Sequence, residues 1–169
     1  NGTIYRAAND AGAALCKPEQ DMLQTVHLPD LETKDLQVPI VSDKDIRIIE
    51  IIPNQLETKL VVAKPKERGF LKADPESDLL KIAAVERHRG IKEIGVGIVK
   101  GFGLKDGAIA ATIAHDSHNV IAVGTNDQDL LQAIETLKEI GGGLTVAKGG
   151  KELHSVALPI AGLLSDKPL

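Results

Sequence analysis

The sequence predicts an α+β fold, with an antiparallel or mixed β-sheet of several short strands packed with few helices. Short β-branched runs bounded by Gly, Pro, Asn or charged turns recur from residue 46 onward. One stretch, 126–140, carries a 3.6-residue apolar period. Strands and helices do not alternate, which argues against a doubly wound dinucleotide fold.

The elements follow in chain order. Residues 1–45 contain Pro18, Pro29 and Pro39, scattered charges and no sustained period, so they read as an irregular leader or linker. Within them an Ala-rich piece at 7–15 suggests a short helix, weakened by Gly12. Residues 46–52 are mostly β-branched and stop at Pro53, as a strand does, and 57–63 is a hairpin partner across Pro53-Asn54. After a charged turn at 64–69, residues 79–85 and 94–99 form strands joined through Arg87-His88-Arg89-Gly90. Residues 107–114 and 119–123 add further short strands.

Leu130, Ile134 and Leu137 share one helical face. Asn126 is the expected N-cap, with Asp127 and Asp129 where the helix dipole favours negative charge. Lys138 sits in the last turn and Gly141 is the expected left-handed stop. Gly141-Gly142-Gly143 then leads into a strand at 144–147, and Lys148-Gly149-Gly150-Lys151 turns the chain into a last strand at 152–158.

The bulk properties exclude several classes. With 169 residues, 43% hydrophobic and 26% charged, the chain suits one soluble domain, 46–169, preceded by the leader. Tyr5, Phe70 and Phe102 are the only aromatics, so the core is aliphatic. The net charge is −4 and no basic face is evident, which argues against nucleic acid as a partner. No apolar run approaches the roughly 20 residues that span a bilayer, and no signal peptide is visible. The single Cys16 excludes an internal disulfide and suits a reducing cytoplasm. An Asn at position 1 points to a fragment or a processed chain.

Ala114-His115-Asp116-Ser117-His118-Asn119 is the most unusual segment, because five consecutive polar side chains separate two apolar strands. A plain turn would more often use Gly, Pro or a single Asn. His115, Asp116, Ser117, His118 and Asn119 are therefore the candidate site-lining residues, suited to proton transfer, metal ligation or recognition of a polar ligand. The same residue types also bond readily to neighbouring backbone and suit a structural loop. His-x-x-His supplies two imidazoles where a zinc site wants three protein ligands, and His88 or His154 would have to join them. Glu86, Arg87 and His88 are secondary candidates, either a solvated strand end or a partner to the His115 loop across adjacent strands. Gly95-x-Gly97 and Gly101-x-Gly103 match no nucleotide-binding pattern and suggest strand bends and close backbone approach. Cys16 has no nearby base and is a poor nucleophile candidate.

Taken together, Gly101-Phe102-Gly103-Leu104, Gly107-Ala108-Ile109-Ala110 and Ala114-His115-Asp116-Ser117-His118-Asn119 resemble the C-terminal domain of bacterial-type adenine deaminases, of the amidohydrolase superfamily. Gly124, the triple glycine, Leu158-Pro159-Ile160-Ala161-Gly162-Leu163-Leu164-Ser165 and Glu86-Arg87-His88 extend the resemblance over 46–165. In the leader only Thr25-Val26-His27-Leu28-Pro29 matches. The resemblance implies hydrolysis of adenine to hypoxanthine and ammonia, with a metal-activated hydroxide attacking C6 of the purine. It also implies a separate metal-bearing barrel that holds a divalent metal, manganese or iron, on ligands including His-x-His. No His-x-His occurs here, so this chain is expected to hold no metal or other cofactor and to be inactive alone.

The implied partners are the catalytic barrel of the same enzyme, further copies in a homo-oligomer, and adenine as substrate of the whole. Two other readings stand beside this one. The chain could be a structural or oligomerisation module without substrate contact, or an independent ligand-binding or metal-binding protein.

Overall fold

The structure is a computed structural model that describes residues 22–167 apart from 24, 42–43 and 66–67. The predicted 7–15 helix and Cys16 lie outside the described residues. Among the described residues ten strands form: β1 (Pro39–Ile40), β2 (Ile46–Ile51), β3 (Thr58–Ala63), β4 (Gly69–Phe70), β5 (Leu79–Val85), β6 (Ile94–Lys100), β7 (Ala108–Ala111), β8 (Val120–Gly124), β9 (Gly143–Lys148) and β10 (Lys151–Ala157). The one α-helix among the described residues, α1 (Asp127–Glu139), lies between β8 and β9 in the chain. The expected α+β class with a mixed sheet and few helices is the one observed.

Eight strands make one sheet in the order β10-β9-β7-β8-β5-β6-β2-β3, while β1 and β4 form a separate two-stranded piece. The two hairpins read from the sequence are present, β2 with β3 and β9 with β10, and β5 also pairs antiparallel with β6. The β9–β10 hairpin closes through Gly149 and Gly150 at φ 63° and 69°, both left-handed, as a two-residue hairpin turn of this hand requires. β2 runs parallel to β6, pairing Ile48 with Ile98, the only parallel neighbour pair among the described strands of this sheet.

Helix α1 starts where the sequence says it should. The Asn126 side chain accepts from the Asp129 amide at 2.8 Å, satisfying one of the free first-turn donors. At the other end the Gly142 amide donates to the Leu137 carbonyl at 2.8 Å and the Gly141 amide to Lys138 at 3.4 Å, with Gly141 at φ 74°. That pair of bonds is a Schellman stop, which terminates the helix and aims the chain into β9.

The two sheet faces are unlike. The face toward α1 is lined with small residues, Ala83, Ala108, Ala122 and Ala147, against Leu130, Ala133, Ile134 and Leu137. Small side chains let the helix approach closely: a Cβ added to Gly124 would stand 2.9 Å from Leu130 Cγ. Leu28, Leu31 and Leu36 bury into this same core, so the described part of the leader packs onto the helix side of the sheet. The opposite face carries larger residues, including Ile82, Val99, Ile109 and Val123. Lys81 is 1% exposed and pairs with Asp127 in the first turn of α1 at 2.5 Å, an ion pair between strand and helix that no local pattern announces.

Candidate functional site

β5 and β8 are antiparallel neighbours with Val85 opposite Val120. The register brings the segment leaving β5, Glu86-Arg87-His88, beside the segment entering β8, Ala114 to Asn119. Both groups of candidates therefore meet at one end of the sheet.

Arg87 organises this corner. It is 2% exposed, its Nε donates to the His118 carbonyl, and its terminal amine donates to the Ala161 carbonyl at 3.1 Å. Its own carbonyl accepts from the His27 amide at 2.7 Å. One side chain thus ties the β5 end to the His115 loop and to the turn at 160–164, while its backbone holds the described leader. Burial lowers its guanidinium pKa from the ordinary value. His88 Nε2 lies 2.9 Å from the Ser117 carbonyl, a contact that requires the ring proton on Nε2 because a carbonyl only accepts.

Glu86 turns back onto its own strand end, accepting from the His88 amide at 2.8 Å and the Arg89 amide at 3.1 Å. Desolvation pushes its carboxyl pKa up, but those amides and the Arg89 and His88 charges outweigh it, leaving the group below its ordinary value. A carboxylate with a lowered folded-state pKa contributes stability above the unfolded value, and loses it as pH falls through the folded value. Glu86→Gln should therefore flatten part of the acid decline in stability below pH about 4.5. Urea titrations of both proteins at neutral and acid pH check this, and parallel declines would remove Glu86 from the account.

The loop itself closes by a hydrogen bond from the His118 amide to the Ala114 carbonyl at 2.7 Å, with His118 in the left-handed region at φ 51°. His115 Nδ1 pairs with an Asp116 carboxylate oxygen, and both side chains stand almost wholly in solvent. The His115 and His118 rings meet edge to face, 6.0 Å between centroids. Inside the loop the polarity is unsatisfied: His118 Nδ1 and Asn119 Oδ1 are buried without a hydrogen-bond partner among the described residues, as is Thr25 Oγ1, two residues before His27 in the leader. Buried orphans of this kind are rare enough to call for a cause.

Other residues complete the corner without having stood out singly in the sequence. Thr112 Oγ1 donates to the Gly162 carbonyl at 2.5 Å and accepts from the Gly143 amide at 2.8 Å. A Cβ on Gly162 would meet the Arg87 guanidinium at 2.7 Å, so only glycine fits beside it. Ala161 and Gly162 lie within the Leu158–Ser165 motif, and His27 within the Thr25–Pro29 one, so the motif matches were the available signal.

The arrangement does not suit a metal. No group of three or more His, Cys, Asp or Glu among the described residues is placed to hold one. His154 sits on β10 opposite Val146, not in the loop. The Gly101 and Gly103 amides, which could have cradled an anion, both donate to the Asp78 carboxylate, at 3.0 and 2.7 Å. Gly101 does mark a close approach, with an added Cβ 3.2 Å from the Ile51 carbonyl, but Gly95 and Gly97 have room and do not. No helix of the described residues is long and apolar enough to cross a membrane.

Residues 55–169 match the family described as the adenine deaminase C-terminal domain. The chain is 68% identical over all of its 169 residues to an adenine deaminase of Bacillus licheniformis, of which it covers 30%. It is 60% identical over 157 residues to that of Bacillus subtilis, covering 92% of the chain and 27% of the relative. With an adenine deaminase of Dehalococcoides mccartyi it shares 48% identity over 165 residues, 95% of the chain and 29% of the relative. The chain thus spans less than a third of the length of these relatives.

Proposed function

The chain belongs to the adenine deaminase C-terminal domain family, and we propose that it works as that part of an enzyme converting adenine and water to hypoxanthine and ammonia. The observation that carries this reading is the 68% identity along the whole chain to one end-to-end segment, 30%, of a curated adenine deaminase. The catalytic barrel of the same enzyme, holding manganese or iron, is the partner, in a cytoplasmic homo-oligomer of purine catabolism. Residues 1–45 form the connecting leader and 46–169 the domain proper, with 25–36 docked onto the domain they precede. The side chains here do not fit the metal, so the chain's share of the chemistry is positional.

That share falls to the loop. His115, Asp116, Ser117, His118 and Asn119 line the purine site or its mouth, where they orient adenine or pass a proton. The purine edge presents alternating donors and acceptors, which an imidazole and an amide match directionally. His118 Nδ1 and Asn119 Oδ1 have that capacity unspent. Glu86, Arg87 and His88 act behind them as positioning residues.

Ammonia release from adenine tests both halves of the proposal. The chain alone, given excess manganese, iron or zinc, should show no turnover. In the complete enzyme, His118→Ala or Asp116→Ala should slow turnover roughly 100-fold, as loss of positioning does, with metal content and melting temperature near wild type. Turnover that copurifies with the isolated chain would overturn the division of labour. Variants that lose stability in step with activity would make the loop a structural brace.

A further inference from the structure

The larger-residue face of the sheet is open. Ile82, Ile109, Ile121, Val123, Leu144 and Val146 line a shallow groove of about 600 Å³ on the side away from α1. Leu144 and Val146 are 40% and 41% exposed, and Val156 beside them 47%. An antiparallel sheet that leaves one face in water normally puts polar residues there. This one alternates small apolar toward the helix with large apolar toward solvent, the pattern of a sheet covered on both sides. A contiguous exposed patch of this kind marks an interaction surface.

Two occupants fit poorly. A purine needs hydrogen-bond partners in the middle of its site, and here Thr145 is turned to the His154 carbonyl while the floor is aliphatic. A second copy related by a two-fold axis would set the same concave surface against itself, and a groove does not fill a groove. A convex apolar element is required, of the width of a helix. The chain covers only 30% of the Bacillus licheniformis enzyme, so most of such an enzyme lies outside it and can supply that element. The groove also runs into the candidate loop, since Ile113 and Ala114 are in its wall and His115 follows directly.

We propose that this sheet face is the docking surface for the catalytic part of the same polypeptide, which lays a convex apolar element, such as a helix, into the groove. The choice of occupant rests on the reading of the chain as an adenine deaminase domain. Docking there sets the His115 loop at the rim of the same boundary.

The test uses the full-length enzyme with Val146→Cys carrying a benzophenone maleimide, irradiated without substrate, digested and mapped by mass spectrometry. The enzyme lacking that cysteine supplies the background, Leu144→Cys a second probe of the face, and Glu139→Cys a probe of the exposed end of α1. Crosslinks from 146 and 144 into the catalytic part, in a product of monomer mass and at least ten times more abundant than those from 139, are expected. A dimer-mass product, crosslinks into residues 1–21, or equal yields from all three positions would each overturn the proposal. Because nothing is turned over, the result is independent of whether the loop variants affect adenine hydrolysis.

Discussion

Arg87→Ala should destabilise the domain by about 3–5 kcal/mol, among the largest effects of any single polar substitution here. The side chain is 2% exposed and holds two carbonyls, those of His118 and Ala161, on two segments distant in sequence. Each hydrogen bond from a charged donor contributes about 1.5–3 kcal/mol net. Truncation also strands both acceptors and leaves a cavity against Gly162, where the guanidinium fills the space a side chain would otherwise take. Lysine cannot replace it: an ammonium on a flexible stem has no fork to span two carbonyls, so Arg87→Lys should recover little. Urea unfolding of the purified domain measures the change, with the slope unchanged if the denatured state is unaltered. Amide exchange at 115–119 should rise in the same variant, since the loop loses its main tether. A change under about 1 kcal/mol would mean that the leader and the 160–164 turn hold the corner without Arg87.

Leu137→Ala, and likewise Leu130→Ala, should cost about 2–5 kcal/mol. Both are 0% exposed and lie in the core cluster that joins α1 to the alanine-lined sheet face. The alanines of the sheet, Ala83, Ala108, Ala122 and Ala147, are too short to reach in and refill the hole. Glu135→Ala, on the other side of the helix, should fall within about half a kcal/mol. Thermal and urea melts of the three variants check the contrast. Equal losses would show the helix to be buried all round.

Local signals were legible because their causes are local. The period of Leu130, Ile134 and Leu137, the Asn126 cap and the Gly141 stop fall where the sequence puts them, since cap and stop need only bonds within a few residues. β5 spans the anticipated 79–85, and the other main strands differ from expectation by a few residues at most, except that β7 ends at Ala111 instead of running to 114. There the chain leaves the ladder early, because Thr112 is drawn to the Gly143 and Gly162 carbonyls. Of the candidate site, the sequence singled out the polar loop and the Glu86-Arg87-His88 end, and it raised their meeting as one of two alternatives. It had no means of choosing between them.

The amino-acid order alone determined the fold class, the helix with both of its ends, the β2–β3 and β9–β10 hairpins and the family. Each of these is encoded in spacing over a few residues, or in motifs that survive without coordinates. Tertiary structure decided the rest. The parallel pairing of β2 with β6 joins residues some fifty positions apart, and Leu28, Leu31 and Leu36 find the helix-side core only when the sheet exists to receive them. Arg87 reads as a solvated strand end until the 160–164 turn closes over it. The alternation of alanine with isoleucine and valine shows two apolar faces in β7 and β8, but which face α1 covers depends on how the chain crosses the sheet. Burial is a property of the whole assembly of strands, and no local pattern contains it.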